Sequence, residues 1–520
     1  MDRLPSVMNH NFSQVPQANI PRSSFNRSHG LKTTFDAGYL VPVFFDECLP
    51  GDTFNLNMTG FGRLATPINP VMDNMYLDTF FFAVPIRLLW SNWEKFNGEQ
   101  TDPGDSTDYQ IPQVTTPAAG FAEGSLYDYF GIPTKVVGLG NVNNLHARAY
   151  NLIWNEWFRD ENLQDSLTVD TGDGPDTDTN YVLKKRGKRH DYFTSCLPWP
   201  QKGDAVDLPL GTSAPVTSAV TAGNSIGYYN TTDSAYRAMD ASVTYVQYTS
   251  ASSSAGNALQ ADLSSATAAT INQLREAFQI QKLYERDARG GTRYVEIIKS
   301  HFGVTSPDFR LQRPEYLGGG STRININPVA QTSSTDATTP QGNLSAFGTV
   351  GFNKHGFTKS FTEHCVIIGL ASVRADLTYQ QGLNRMWSRQ TRWDFYWPAL
   401  AHIGEQAVLN KEIYAQGTGG GTADDSVFGY QERFAEYRYK PSCITGAFRS
   451  NHSASLDPWH LSQDFSTLPV LNDTFIQEDP PIDRVIATPT EPHIIFDSYF
   501  DLKCARPMPL YSVPGLIDHF

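Results

Sequence analysis

Two glutamates and three cations lie close together in the stretch YQERFAEYRYKPSCITGAFRS, residues 430–450, and are the first candidates for chemistry. A glycosidase uses such a carboxylate pair as acid and base when the carboxyl groups are about 5 to 9.5 Å apart. In a strand, Glu432 and Glu436 share one face but stand about 13 Å apart, which excludes this use. In a helix they are neighbours at i and i+4, each beside a cation, as on a solvated ion-pair face. Neither conformation gives an active site from these residues alone.

Three shorter motifs are also better explained by structure than by chemistry. GNSIG (223–227) matches the G-x-S-x-G nucleophile elbow but lacks the helix that must follow it. His364 and Cys365 are adjacent in a predicted strand and so point to opposite faces, which favours a buried Cys365. Asp424 and Asp425 fit a solvated turn better than a cation site. With no HExxH, P-loop or dinucleotide motif in the sequence, we predict no enzyme activity, no cofactor and no metal.

The densest basic cluster is KKRGKRH, which has five cations within residues 184–189. These cations are Lys184, Lys185, Arg186, Lys188 and Arg189. One interpretation is a solvated surface; the other is a set of phosphate contacts that release counterions from DNA. The following stretch, DYFTSCLPWPQKG, offers the rings of Tyr192, Phe193 and Trp199 for stacking on unpaired bases. The combination favours single-stranded over duplex DNA.

The composition favours an all-β protein with many turns. The 520 residues include 40 Gly and 32 Pro, 12% are aromatic and only 18% are charged. A net charge of −14 excludes a nucleic-acid condenser, so DNA contacts require local basic patches or a separate basic partner. Five widely spaced cysteines without a CxxC motif indicate a reducing cytoplasm. No apolar stretch is long enough to predict a membrane span.

Hydrophobic patterns place strands near both ends of the chain and in the middle. TFNLNMT (53–59) and IIFDSYFDLKC (494–504) alternate between apolar and polar residues, which predicts one buried face. MYLDTFFFAVP (75–85) is apolar throughout, as in a strand covered on both faces. Helices are predicted within 144–158, within 270–291, where Gly290 and Gly291 end the helix, and within 293–303. The distribution fits one sandwich with long insertions.

We divide the chain into four segments. Residues 1–33 form a basic N-terminal arm that contains Arg22, Arg27 and Lys32. Residues 34–203 form the first part of the β body with a helical insertion, and residues 267–520 form further helices and the rest of the body. Residues 204–266, poor in charge but bearing Tyr228, Tyr229 and Tyr236, form a folded, protruding insertion.

Several long stretches together resemble one virus family. DYFTSCLPWPQKG, RWDFYWPALAHIGEQAV and GYQERFAEYRYKPSCITGAFRS are similar to the major capsid protein of the Microviridae, nearest to the gokushovirus branch. GDTFNLNMTGFGRLATPINPVMDNMYLDTFFFAVPIRLLW and ERDARGGTRYVEIIKSHFGV extend the resemblance over most of the chain. It thins within 204–266 and around 330–345, where related capsids differ.

This resemblance implies an eight-stranded antiparallel jelly roll of the viral capsid type, assembling through pentamers into an icosahedral shell around circular single-stranded DNA. It implies as partners an internal scaffolding protein, a DNA pilot protein, a small basic DNA-packaging protein and a host surface receptor. The protein would assemble in the bacterial cytoplasm and reside in the virion. Residues 204–266 would form the threefold protrusion, with Tyr228, Tyr229 and Tyr236 facing the receptor.

The same resemblance reinterprets the charged residues. The 184–189 cluster, with Arg22, Arg27 and Lys32, would face the packaged DNA. The alternating charges of the 430–440 stretch would make ion pairs within or between subunits. These subunit-contact residues are Glu432, Arg433, Glu436, Arg438 and Lys440. Two alternatives from other classes are a carbohydrate-active or lectin-like β-sandwich that uses Glu432 and Glu436, and a soluble receptor-binding spike.

Overall fold

The computed structural model describes residues 21–106, 108–204, 206, 216–217, 227–230, 232, 234–241, 246–252, 260–261, 271–303, 305, 311–337 and 340–511. The chain divides into two compact units. The first unit comprises residues 1–198 and 306–520, and the second comprises residues 199–305. Within the described residues, no helix is both long and apolar enough to cross a bilayer.

Both units contain strands and helices, which we number in chain order. Before residue 199, the first unit has strands β1 (Ser23–Asn26), β2 (His29–Phe35), β3 (Val41–Cys48), β4 (Thr53–Leu64), β5 (Met75–Pro85), β6 (Gln113–Thr115) and β7 (Asn141–Asn143), and helices α1 (Trp93–Phe96), α2 (Leu126–Tyr129) and α3 (Leu145–Ile153). The second unit has strands β8 (Val216–Thr217), β9 (Gly227–Asn230), β10 (Ala235–Ala241), β11 (Val246–Ser252) and β12 (Gln260–Ala261), and helices α4 (Ile271–Arg289) and α5 (Tyr294–Phe302). After residue 305, the first unit continues with strands β13 (Glu315–Arg323), β14 (Asn325–Ala330), β15 (Leu344–Ser360), β16 (Cys365–Ala375), β17 (Thr378–Tyr379), β18 (Glu405–Leu409), β19 (Val427–Glu432), β20 (Ser442–Cys443) and β21 (Ile494–Arg506), and helices α6 (Asn410–Ile413) and α7 (Asp473–Ile476).

Two antiparallel sheets form the body of the first unit. The first sheet has the order β1-β21-β4-β15-β14, with β2 also paired to β21. The second sheet has the order β13-β5-β16-β3. Strands from the two ends of the chain meet in the first sheet, where Leu502 lies opposite Leu56 and Phe500 opposite Met58. The prediction of an all-β protein is thus confirmed in part: the structure consists mainly of β-sheet, with a few helices.

The core lies between these sheets. Alternation in β4 points Phe54, Leu56 and Met58 inward, each at most 1% exposed, and the intervening polar residues outward. Rings of facing sheets touch: the centroids of Phe44 and Phe500 are 5.2 Å apart. Burying each of these large side chains contributes about 1.5–3 kcal/mol. The predicted one-sided burial of β4 and β21 is therefore confirmed.

The second sheet is covered on its other face as well. Every residue of β16 is buried, and its Val366 and Ile368 share an apolar cluster with Ala149 and Ile153 of α3. This explains the uniformly apolar sequence of β5 and confirms its predicted burial on both faces. The helix predicted within 144–158 is α3, continued by a π-helical turn from Trp154 to Phe158.

The second unit contains a three-stranded antiparallel sheet, β11-β10-β9, and two helices. Helix α4 ends at Arg289, directly before Gly290, and α5 ends at Phe302. Gly303 follows with φ of 68°, a left-handed conformation that glycine adopts without strain. The predicted ends of both helices are confirmed. The predicted start of α4 at Thr270 lies outside the described residues.

Candidate nucleic-acid and subunit interfaces

The cations of the 184–189 cluster are largely engaged within the chain. Arg186 Nη1 lies 2.6 Å from Asp78 Oδ2, which also receives Arg374 Nε at 2.8 Å. Burial alone would raise the pKa of Asp78, but a hydrogen bond from Ser321 and the two guanidinium groups outweigh burial and lower that pKa. Lys184 is partly buried. Arg186, whose side chain is 14% exposed, is therefore an ion-pair partner of the second sheet as well as a cation near the surface.

The remaining members of the cluster differ in exposure. Lys185 Nζ lies 2.8 Å from Asp479. Lys188 is only 9% exposed, with Nζ 4.6 Å from the centroid of the Phe475 ring, and burial lowers the pKa of this lysine. Arg189 is exposed. Within the cluster, Arg189 is thus the cation that is best placed to meet a phosphate.

The rings predicted to stack on bases are not on the surface. Tyr192 and Phe193 are 4% and 3% exposed and pack in an apolar cluster with Tyr379 and Phe428. A base cannot stack on a ring whose faces are already covered, so this prediction is wrong for both residues. Trp199 belongs to the second unit, where Lys202 Nζ lies 5.8 Å from its ring.

A groove of about 600 Å³ beside the cluster supplies other rings. It is lined by Arg186 and Arg189 together with Trp157 and Tyr316, which are 42% and 43% exposed. The two ring centroids are 6.0 Å apart, and Arg313 lies over the Trp157 ring at 5.7 Å. Exposed aromatic rings flanked by arginines are the elements of a site for unpaired bases.

The sequence alone did not reveal this groove. In an ideal α-helix, Trp157 would lie on the same buried face as Leu145, Ala149 and Ile153. The chain instead enters a π-helical turn at Trp154, and i→i+5 bonding changes the direction of the following side chains. The one sequence feature that could have indicated the exposure of Trp157 is its position at the end of the predicted helix, after the turn that packs most tightly.

The predicted arm residues lie partly in the first sheet. Residues 23–26 and 29–35 form β1 and β2, while residues 1–20 lie outside the described residues. Arg27 Nη2 lies 3.0 Å from Asp46 Oδ1, and Lys32 Nζ lies 3.1 Å from Asp497 although its side chain is 80% exposed. Arg22 is exposed and donates to Thr53 Oγ1 at 2.7 Å. Arg22 and Lys32 therefore remain accessible to a ligand.

The 430–440 stretch is neither one strand nor one helix. Glu432 ends β19, Phe434 turns the chain with φ of 64°, and a 3₁₀ turn covers Ala435–Tyr437. Glu432 pairs with Arg438. Glu436 accepts from Gln406 Nε2 at 2.7 Å and pairs with Arg389 at 3.3 Å. Each glutamate is thus held by its own partners, which supports an ion-pair role.

The other cations of this stretch lie nearer the surface. Arg433 Nη2 donates to the carbonyl of Trp393 at 3.4 Å, and its guanidinium lies 4.8 Å from the Phe434 ring centroid. Arg438 and Lys440 are exposed, and Lys440 lines a cavity of about 330 Å³. Arg438 and Lys440 are therefore accessible to a neighbouring molecule.

A buried carboxylate that no sequence pattern indicated supports the same region. Glu412 is 5% exposed, accepts a hydrogen bond from the Tyr192 hydroxyl at 2.8 Å and pairs with Arg385 at 2.9 Å. Burial raises the pKa of Glu412 despite the nearby guanidinium. The network fixes the position of Arg385 and of the segment that follows it.

The remaining predicted residues are placed as follows. In the second unit, Tyr229 is 48% exposed and its ring centroid lies 5.0 Å from that of Tyr236, while the side chain of Tyr228 is outside the described residues. Cys365 is buried, as predicted. Asp424 accepts hydrogen bonds from two backbone amides and Asp425 pairs with Lys411, as in the predicted turn.

Comparison with known proteins gives matches along nearly the whole chain. A family model described as capsid protein (F protein) matches residues 13–516. The chain is 54% identical to capsid protein VP1 of Bdellovibrio phage phiMH2K, over 98% of both chains. It is 48% identical to capsid protein VP1 of Chlamydia phage 1, over 99% of both chains. Identity to capsid protein VP1 of Spiroplasma virus 4 is 40%, over 98% of this chain and 97% of that protein.

These matches confirm the resemblance to Microviridae capsids, of the gokushovirus type, that the shared stretches indicated. They extend through the second unit, so the likeness is not limited to the β body. The chain therefore belongs to the capsid protein (F protein) family and is a structural capsid protein of the virion.

Proposed function

We propose that this chain assembles with further copies of itself into a closed icosahedral shell that encloses circular single-stranded DNA. The order of the strands carries the proposal. Strands β2-β21-β4-β15 and β3-β16-β5-β13 form two four-stranded runs within the facing sheets. This is the pairing expected of an eight-stranded jelly roll, an architecture that capsid domains use.

The groove beside Arg189 is the proposed contact for the genome. Trp157 and Tyr316 offer ring faces for unpaired bases, and Arg189 and Arg313 offer charge for the backbone. Arg22, directly before β1, and Lys32, in β2, add accessible cations. Lys188, which is buried, and Arg186, which lines the groove and is paired with Asp78, would help to position it.

The net charge of −14 supports a proposal about partners. An acidic shell around DNA requires cations from elsewhere, which a small basic DNA-packaging protein would supply. An internal scaffolding protein and a DNA pilot protein complete the proposed set, with assembly in the bacterial cytoplasm. Residues 204–266 are proposed as the protrusion that meets a host surface receptor, with Tyr228, Tyr229 and Tyr236 on the receptor-facing side.

The exposed residues of the 430–440 stretch are proposed to contact neighbouring subunits. Arg438 and Lys440 reach the surface, while Glu432, Arg433 and Glu436 hold the local fold through partners within the chain. Such rim charges fix the register between neighbours more than they add affinity.

The test of the shell is co-expression with the neighbouring viral genes, followed by sedimentation, electron microscopy and nuclease treatment. We expect uniform icosahedral particles that protect single-stranded DNA. A chain that stays monomeric although the scaffolding partner is present would contradict the proposal.

The test of the groove uses Arg189→Glu combined with Trp157→Ala. Particles of this variant should form but carry less DNA, because both charge and stacking are removed. Lys135→Glu, the same charge change at an exposed site outside the groove, is the matched control. Unchanged DNA content in the double variant would refute the groove as the contact.

A further inference from the structure

Two cysteines that are 317 residues apart in the sequence meet in the second sheet. Cys48 ends β3 and Cys365 begins β16, and the two residues lie directly opposite each other in this antiparallel pair of strands. Residues in opposite positions of such a pair point to the same face, and their Cα atoms are about 4.5 or 5.5 Å apart. Both side chains belong to the core between the two sheets.

The two thiols are in contact as well as in register. Cys48 Sγ lies 3.4 Å from the carbonyl oxygen of Cys365, and Cys365 Sγ lies 3.5 Å from the carbonyl oxygen of Glu363. A hydrogen bond with the Cys365 thiol, together with burial, raises the pKa of the Cys48 thiol. Disulfides usually join residues whose Cα atoms are about 4.4–6.8 Å apart, so the strand pairing already holds both cysteines at a suitable separation.

The other three cysteines all lie in the described part of the chain, and the strand pairing places none of them opposite a cysteine. Cys504 lies opposite Phe54, and Cys443 lies opposite Tyr379. Cys196 belongs to a separate apolar cluster. These three residues are therefore internal controls for any chemistry of the pair.

The pair lies at the end of both strands, close to the surface. Leu49, which follows Cys48, is 36% exposed, and Glu363 and His364, which precede Cys365, are partly exposed. Strand β3 also stands at one edge of its sheet. A buried thiol is little ionised and reacts slowly, so an oxidant would reach the pair when this strand end opens locally.

We propose that Cys48 and Cys365 form a cross-strand disulfide site, which a small-molecule disulfide oxidises once the virion has left the reducing cytoplasm. One cysteine thiolate attacks the S–S bond of the oxidant, forms a mixed disulfide and releases one thiol. The second cysteine then attacks its partner's sulfur in the mixed disulfide, which forms the Cys48–Cys365 bond and releases the second thiol. The two cysteines lose two electrons and two protons in total, and the oxidant gains both.

The bond would join distant parts of the chain. The loop that it closes runs from residue 48 to residue 365 and includes all of the second unit. A cross-link that closes a long loop stabilises the fold by restricting the unfolded chain, and this one would also hold the edge strand β3 to β16. The timing of oxidation rests on the proposed assembly in the cytoplasm, whereas the site lies within a single chain.

The first experiment maps the bond by mass spectrometry, in the unassembled chain and in purified particles. Each sample is incubated with oxidised or reduced glutathione, denatured in iodoacetamide and digested without reduction. We expect linked peptides that contain Cys48 and Cys365 in the oxidised samples alone, with Cys196 and Cys504 alkylated throughout. Alkylation of both cysteines of the pair, separate glutathione adducts on them, or links to Cys196 or Cys504 would overturn the inference.

Two further outcomes separate this inference from the proposed function. If no particles form, the proposed shell fails, and the unassembled chain still decides whether the bond forms. Chains precipitated with acid directly from the producing cells should contain both cysteines as free thiols. A bond that is already present in those cells would overturn the proposed timing.

The second experiment measures the effect of the bond on stability. Oxidised wild-type chain should unfold at a temperature a few degrees above that of the reduced chain. Cys48→Ala and Cys365→Ala should each abolish this difference, whereas Cys504→Ala, which removes a buried thiol from the same core, should keep it. A difference that persists without Cys48 or Cys365, or that disappears in Cys504→Ala, would refute the assignment. The mapping of the wild-type chain decides the question if a variant fails to fold.

Discussion

Two basic stretches of the first unit, residues 184–189 and 385–392, differ in their surroundings. The first is far denser in charge, yet Arg186 and Lys188 are turned into the protein. The second is sparser, yet its Arg392 and the neighbouring tryptophans are exposed. Acids distant in sequence pair with cations of both stretches. Asp78, which pairs with Arg186, lies in the second sheet, whereas Glu412 and Glu436, which pair with Arg385 and Arg389, lie outside the two main sheets. Asp78, the partner of Arg186, is 108 residues away along the chain.

Asp78→Ala is the strongest test of this inward role. It would leave Arg186 and Arg374 buried without their shared carboxylate, and removing one member of a buried ion network costs about 3–5 kcal/mol. Urea unfolding of the unassembled chain measures the loss. A loss below about 1 kcal/mol would show that these charges behave like exposed ones.

Acid should weaken the same network. The pKa of Asp78 is lowered in the folded chain, so its contribution is present above the unfolded value of about 3.9 and is lost as the pH falls through the folded value. We expect the free energy of unfolding to decline between about pH 5 and pH 2. Asp78→Asn should show a shallower decline in the same urea titrations. If the free energy of unfolding fell equally with pH in the wild type and in Asp78→Asn, the acid sensitivity would not come from Asp78.

Lys188→Met should have a smaller effect. Methionine keeps contact with Phe475, and removing a buried ammonium offsets the lost attraction to Glu478, so the free energy of unfolding should stay within about 1 kcal/mol. Thermal and urea unfolding measure it. A loss near that of Asp78→Ala would mean that the charge itself is required.

Arg392→Ala should have the smallest effect on the unassembled chain. Its described contacts are with exposed indole rings, and such cation–π contacts contribute about 0.5 kcal/mol. Arg189→Ala, an exposed arginine of the first stretch, is the matched control. If Arg392→Ala lowered the free energy of unfolding much more than Arg189→Ala does, Arg392 would have a role in folding, and the contrast between residues 184–189 and 385–392 would be weaker.

Much of the fold followed from local pattern. The alternation in β4 and β21, the two-sided burial of β5 and the ends of α4 and α5 were all predicted, because each depends on neighbouring residues. The family was predicted from long shared stretches. The functional surfaces were harder to predict: the rings of Tyr192 and Phe193 were expected to be exposed, but they are buried in an apolar cluster.

The periodicity of the strands, the glycines that end the helices and the acidic charge balance can be read from the chain alone, since backbone geometry and side-chain type are local properties. Which cations are free depends on how the chain folds. Arg186 meets Asp78 and Arg389 meets Glu436, whereas Arg189 and Arg392 reach the surface. A charge is neutralised by whichever opposite charge folding brings within a few ångströms, and spacing along the chain does not record that distance.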